Sequence, residues 1–343
     1  MTGQKHLVVP VFLPQAGCPH QCVFCNQHAL CAAPAVPDLR AIRDQVDRWL
    51  ERPTSRRGPV QISFYGGNFL GLDRDLCLAL LGLAAEYAAA GKVDSLRFST
   101  RPDTVDEERL SWLAGHPVRT VELGVQSMDD RVLRRSGRGH LAADSVRAAN
   151  LLKAAGYEVG LQLMPGLPGD TRETSVETAR RTVLLAPDFT RIYPALVLAG
   201  SPMASMWKRG DYRPLDLSDA VETCRLMVEV LDSAHIPVVR MGLHADDRLL
   251  AAGTVLAGPL HPAFGHLVMS AVMRERAIRE LEASGIAGGV AEIRVCPKDS
   301  SRIRGHENGN LVLLRERFGL EELRIVEDDS LEQGDVRAGR PAL

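Results

Sequence analysis

Short β-like runs alternate with longer helix-like segments through most of the chain, and this alternation restricts the fold more than any other feature. LVVPVFL (7–13) precedes a helical segment at about 38–51. VQISFY (60–65) precedes a helix rich in leucine and alanine that starts after Asp73 and ends near Gly91. LRFST (96–100), a short helix at about 106–114 and RTVELGVQS (119–127) come next. A helix over about 141–155, stopped by Gly156, leads to EVGLQLM (158–164), a helix at about 171–185 and RIYPALVL (191–198). In 218–234, Ala220, Cys224, Met227 and Leu231 recur at the spacing of one helix face, and PVVRMGL (237–243) closes the series. Strands spaced by such helices build βαβ units and a parallel sheet. The expected fold is α/β, a complete or partial (β/α) barrel. A doubly wound open sheet is the alternative, but no dinucleotide fingerprint opens one.

The unusual residues fall just after the strands. GCPHQC follows the first, GGN the second, STRPD spans the end of the third, GVQS ends the fourth and QLMPGLPG the fifth. In a barrel these ends converge on one cavity, where active sites are built. Beyond about residue 244 the alternation weakens. GPLHPAFGH (258–266) leads to a helix at about 267–284, then AEIRVCP, the polar KDSSRIRGHENGN, a helix-like LVLLRERFG and ELRIVED. We expect a barrel domain over 1–244 and a small α+β appendage over 245–343, a place where substrate could bind. The last ten residues or so are polar and are expected to fray.

A composition of 45% apolar residues supports a large core. The net charge of -2 excludes a protein dominated by a basic, nucleic-acid-binding surface, although a local patch remains open. Arg131, Arg134, Arg135 and Arg138 form such a run, or else one solvated helix face. No apolar stretch is long enough to span a membrane and no secretory signal opens the chain. The seven cysteines are odd in number and clustered, unlike a disulfide framework, so the reading is the reducing cytoplasm.

GCPHQCVFCNQ (17–27) places Cys18, Cys22 and Cys25 in a C-x3-C-x2-C spacing. A structural zinc site wants four ligands, and His28 or Cys31 could supply the fourth, but no second cysteine pair exists. Three clustered thiolates suit a [4Fe–4S] cluster with one iron left open to a ligand. With Phe24 before the last cysteine, this loop resembles that of the radical SAM superfamily. YGGN (65–68), STRPD (99–103), ELGVQSMDDRVLRRSGRGH (122–140) and QLMPGLPGDT (162–171) resemble its later strand ends. YPALVL and VVRMGL resemble the closing strands in relatives of the Elongator catalytic subunit, which modifies tRNA wobble uridine.

The resemblance implies that Cys18, Cys22 and Cys25 hold the cluster. S-adenosylmethionine (SAM) would chelate the open iron, and one electron would split it into methionine and a 5′-deoxyadenosyl radical. It also implies an electron donor such as flavodoxin or ferredoxin. Gly66 and Gly67 would let the backbone approach the methionine moiety, or form an ordinary tight turn. Asn68 stands where many members carry glutamate, and its amide could reach the SAM amino group. Ser99, Thr100 and Arg101 would meet the ribose and carboxylate, with a surface ion pair the plainer reading of Arg101. Gln126 would meet the ribose, Gln162 and Met164 the adenine, and Arg138 a second carboxylate contact. Tyr193 and Arg240 stand as the candidate catalytic residues on the substrate side. Tyr193 would relay an electron or proton. His261 and His266 are further substrate-side candidates. Cys77 and Cys224 read as core, and Cys31 and Cys296 have no role.

The Elongator resemblance suggests RNA as substrate. Those relatives carry a longer gap between the first two cysteines and an acetyltransferase domain. Here about 100 residues follow the barrel without an acetyl-CoA pyrophosphate loop, so wobble carboxymethylation by this chain alone is not expected. SSRIRGHENGN is similar to the glycine loop of KH-type RNA binders, but the Gly305-to-Gly309 spacing is not GxxG. GVQSMDD and GLPGDT also occur in the oxygen-independent coproporphyrinogen oxidase group, a second enzyme reading. A zinc-stabilised RNA-binding module is the non-enzyme reading.

Overall fold

The computed structural model describes residues 7–14, 16–26, 38–52, 58–243 and 249–341. Seven strands make one wholly parallel sheet: β1 (Leu7–Phe12), β2 (Val60–Tyr65), β3 (Ser95–Thr100), β4 (Val118–Gln126), β5 (Glu158–Leu163), β6 (Phe189–Ile192) and β8 (Val238–Met241). They lie in chain order, so each crossover returns to the neighbouring position and the sheet curls into a half-barrel. The helices between them are α1 (Leu39–Leu50), α2 (Arg74–Ala89), α3 (Glu107–Ser111), α4 (Asp130–Arg135), α5 (Ala142–Ala154), α6 (Arg172–Leu184), α7 (Pro202–Arg209) and α8 (Leu217–Ser233). Local chemistry starts several of them. The Asp38 carboxylate accepts from the Ala41 N–H, Asp129 from those of Arg131 and Val132, and Thr171 from that of Thr174. Ser201 caps α7, with Pro202 in its first turn.

Strand alternation sorts the two faces of the sheet. Val9, Val11, Ile62, Phe64, Leu96, Phe98, Val121, Leu123, Val159 and Leu161 are all buried. Phe69 stacks between Phe64 and Phe98, at centroid distances of 5.2 and 4.4 Å. The alternate positions carry Tyr65, Arg97, Ser99, Glu122, Gln126, Gln162 and Arg191, so the concave face is polar. The predicted face of α8 is also confirmed: Ala220, Cys224, Met227 and Leu231 are buried. So are Cys77 and Cys224, as core thiols whose pKa burial raises.

The chain divides into two compact units: Met1–Asp216 with Val230–Leu260, and Leu217–Glu229 with His261–Leu343. The second contains α9 (Phe264–Ala283), β10 (Gly289–Val295), α10 (Ser300–Arg304), α11 (Gly309–Phe318), β11 (Leu320–Glu327) and β12 (Val336–Gly339). β10 pairs in parallel with β11 and antiparallel with β12. Its core includes Met273, Leu281, Ile293, Val295, Ile303 and Leu314. This is an α+β unit.

Two expectations are corrected. RIYPALVL is not one strand. β6 stops at Ile192, and Val197–Leu198 form β7, which pairs antiparallel with β9 (Val255–Ala257) in a separate sheet. Pro194 sits at the break and has no N–H to continue a ladder. Nor does the chain's end fray as a whole: Val336 is 9% exposed and its strand completes the ladder with β10. His28 and Cys31 lie outside the described residues. Among the described residues no helix is long and apolar enough to cross a membrane.

Candidate active site

One cavity of about 1130 Å³ opens on the concave face of the sheet in the first unit. Cys18, Cys22, Cys25, Phe24, Gly66, Gly67, Ser99, Thr100, Arg101, Gln126, Arg138, Gln162, Met164, Tyr193 and Arg240 all line it. Of the residues singled out in the sequence for cluster, nucleotide and catalysis, Asn68 alone is absent from that lining. His261 and His266 belong to the second unit. The His261 Nδ1 accepts from the Ala263 N–H at 3.1 Å, which shapes a turn.

The cysteine loop is fixed on both sides. The Asn68 N–H donates to Ala16 O at 2.8 Å and the Asn68 Nδ2 to Gly17 O at 2.8 Å. Gly17 has φ +71, and a Cβ there would stand 2.3 Å from Asn68 O. Only glycine allows that approach. On the far side the Val23 N–H donates to Ser136 O at 3.0 Å, and the Met203 N–H to Val23 O at 2.8 Å. At Gly139, φ +71, a Cβ would stand 2.2 Å from the His20 ring. The RSGRGH segment therefore supports the back of the cysteine loop, a role the sequence reading did not assign. Phe24 packs with Val132, Leu167 and Met203 in an apolar cluster.

Asn68 is fully buried and its amide is spent on structure. Its Oδ1 accepts from the Arg101 N–H at 2.9 Å, from Thr100 Oγ1 at 2.7 Å and from Thr104 Oγ1 at 2.8 Å. It clamps the β1 and β3 loops together, and the expected contact with the SAM amino group is replaced by this role. Arg101 makes the ion pair that was its plainer reading, though buried and not on the surface. Its Nε and Nη2 donate to Asp103 at 2.9 Å each, so the fork suited to a ligand carboxylate is already engaged. Its remaining Nη1 points at Cys22 Sγ, 3.7 Å away. Arg138, 5% exposed, places Nη1 3.3 Å from the same sulfur, and its Nη2 donates to Gly124 O. A Cβ on Gly124 would meet Arg138 Nη2 at 3.3 Å, so this residue must be small. Arg131, by contrast, is exposed and paired with Asp129, and Arg134 and Arg135 are exposed too, so of the run only Arg138 belongs to the site.

A charged ladder crosses the floor. Glu122 is fully buried. It accepts from Arg191 Nη2 at 3.0 Å and Gln162 Nε2 at 2.9 Å, and stands 3.4 Å from Arg97 Nη1. Arg191 Nη1 donates to the Tyr193 hydroxyl at 3.3 Å. Burial raises the Tyr193 pKa, with Arg191 pulling the other way. Arg97, Glu122 and Arg191 were missed in the sequence. The available signal was a charge at the inward positions of strands whose other positions are apolar. His140 is buried with neither ring nitrogen hydrogen-bonded to a described residue, and its Nδ1 stands 4.0 Å from the Asp103 carboxylate. Burial, then Arg138, pushes its pKa down to about 3, so it is neutral near pH 7.

Three thiols lining one cavity are a donor set that fits a cluster with one iron left open. Among the described residues no three His, Cys, Asp or Glu side chains converge on one ion site. Gln126, held at φ 68 at the end of β4, keeps a buried Oε1 with no partner among the described residues. That orphaned acceptor, in the wall of a cavity rich in donors, fits a nucleotide hydroxyl.

The comparisons agree with this geometry. The family model of the Radical SAM superfamily matches residues 12–182, and that of the Radical_SAM C-terminal domain matches 187–274. A protein named tRNA uridine(34) acetyltransferase from Methanocaldococcus jannaschii is 29% identical over 257 residues, covering 63% of this chain and 47% of that protein. Elongator complex protein 3 of Mus musculus is 31% identical over 134 residues, 38% of this chain and 24% of that protein. The chain thus spans about half the length, or less, of these relatives. The solved structure of an archaeal Elp3 from Methanocaldococcus infernus superposes with a TM-score of 0.61 at 22% identity, over 80% of this chain and 64% of that one. That likeness concerns the fold. Cysteine loop, half-barrel and matched segments together show that the chain belongs to the radical SAM superfamily and is an enzyme of that class.

Proposed function

We propose that Cys18, Cys22 and Cys25 hold a [4Fe–4S] cluster, that SAM binds beside it, and that the chain modifies a nucleotide of RNA. The observation that carries this reading is the meeting of the three thiols with Gly66, Gly67, Gln126, Gln162 and Met164 around one cavity. With SAM in place, the cluster would supply one electron and so release a 5′-deoxyadenosyl radical for hydrogen abstraction.

The chain's own residues do the rest. Arg101 and Arg138 place positive charge at Cys22 and hold that side of the loop. The Gly66–Gly67 backbone leaves room for a close ligand, and Gln126 offers its free acceptor to a ribose hydroxyl. Leu196, Leu198, Pro194 and Met164 give the cavity an apolar wall that limits water around a reactive species. The reduced donor would be a flavodoxin or ferredoxin. RNA is supported by the relatives named for tRNA uridine. The test is the modified-nucleoside profile of total RNA from a deletion strain. A nucleoside that disappears, and returns with the wild-type gene but not with Cys22→Ala, supports the reading. An unchanged profile, with no RNA binding by the reconstituted protein, defeats RNA as substrate.

A further inference from the structure

The cavity is lined by four arginines, Arg101, Arg138, Arg191 and Arg240, and by no aspartate or glutamate among the described residues. Two of them face each other. Arg191 on β6 and Arg240 on β8 are register partners on adjacent parallel strands, and both line the cavity. Adjacent strands stand about 4.8 Å apart, and like charges directly opposite destabilise a sheet. Among the described residues, the carboxylate that pairs with Arg191 makes no ion pair with Arg240. Glu122 is fully buried and already shared by Arg191, Arg97 and Gln162. Two guanidiniums thus already share one carboxylate. Arg240 makes no hydrogen bond or ion pair with any described residue. Beside the pair stands the Tyr193 hydroxyl, which receives Arg191 Nη1 and can itself donate outward.

We propose that Arg240, Arg191 and the Tyr193 hydroxyl form a receiving site for an oxyanion carried by the substrate, a phosphate ester or a carboxylate. The planar fork of Arg240 matches such a group, and a guanidinium with no ion pair to a described residue is stabilised when one arrives, while Arg191, whose Nε and Nη2 are held by Glu122, adds positive charge beside it. The site is separate from the nucleotide side. The cysteine loop follows β1, at one edge of the seven-stranded sheet, and Arg240 lies on β8, at the other. The proposed SAM contacts come from the strands between. This inference rests on the reading that the cavity is the reaction site, but not on RNA being the substrate.

The experiment uses the full chain, anaerobic and cluster-reconstituted. Inorganic phosphate and acetate are titrated at constant ionic strength against chloride, and the shift in thermal midpoint gives each affinity. Wild type and the variants Arg240→Gln, Arg240→Lys and Arg191→Gln are compared. Arg240 makes no hydrogen bond or ion pair with a described residue, so Arg240→Gln is expected to fold, and Arg240→Lys is the second measurement if it does not. The expected result is binding of one oxyanion by wild type, weakened about tenfold or more in Arg240→Gln and partly kept in Arg240→Lys. Phosphate preference assigns a phosphate ester, and acetate preference a carboxylate. Oxyanions that act no differently from chloride, or that bind every variant equally, overturn the proposal. If RNA proves not to be the substrate, the nucleoside profile shows it and this titration is unaffected.

Discussion

Cys22 is the residue on which the charge of the cavity converges, with guanidinium nitrogens at 3.3 and 3.7 Å from its sulfur. Removing one of them tests what they do. Arg138→Met should keep the cluster but move its reduction potential to more negative values, because a positive charge beside a ligand favours the reduced state. Potentiometric titration followed by electron paramagnetic resonance checks this, and an unchanged potential would make Arg138 only a brace for Gly124. His140 supplies a stability prediction. Its folded pKa lies near 3 and its ordinary value is 6.5. Between those values the unfolded chain binds the extra proton and the folded one does not. Stability is therefore full above about pH 6.5, falls as pH drops toward 3, and levels off below. His140→Asn should flatten this slope in denaturant unfolding followed across that pH range.

At the scale of elements, the clamp made by Asn68 joins the loops after β1, β2 and β3. Asn68→Ala would leave Gly17 O and the Arg101 N–H unpaired in the interior. We expect a loss of about 3 kcal/mol, since each buried unsatisfied group costs roughly 1–3 kcal/mol, measured by urea unfolding, together with poorer iron retention. The elements themselves were legible in the sequence because their hydrophobic periods were clean, as at Ala220, Cys224, Met227 and Leu231 in α8. The strand split at Pro194 and the pairing of Val336–Gly339 with β10 were not. Both depend on partners distant in the chain, which no local period reports. The same holds for the site. The cysteine spacing announced itself, and an ion pair was already the plainer reading of Arg101, but the diversion of Asn68 to the loop clamp follows from distances that only folding sets. The Glu122 network was hidden because single charges inside apolar strands look like interruptions until the curvature of the sheet brings them together.

For the whole molecule, a parallel half-barrel gathers the ends of its strands into one cavity, whose polar lining is cysteine, arginine, amide and hydroxyl groups beside an apolar wall, with no carboxylate among the described residues. That composition suits a negatively charged cluster, a nucleotide and an oxyanion. The second unit has its own core around Ile293 and Val295, so it can change its surface without disturbing the strands that carry the thiols. The most direct measurement is made on wild type and Cys22→Ala, purified and reconstituted without oxygen, with metal analysis and product analysis after reduction in the presence of SAM. The account predicts a brown wild-type protein with about four irons per chain that releases 5′-deoxyadenosine and methionine, and a colourless variant that does neither. One zinc per chain with no iron, and SAM recovered intact, would contradict it.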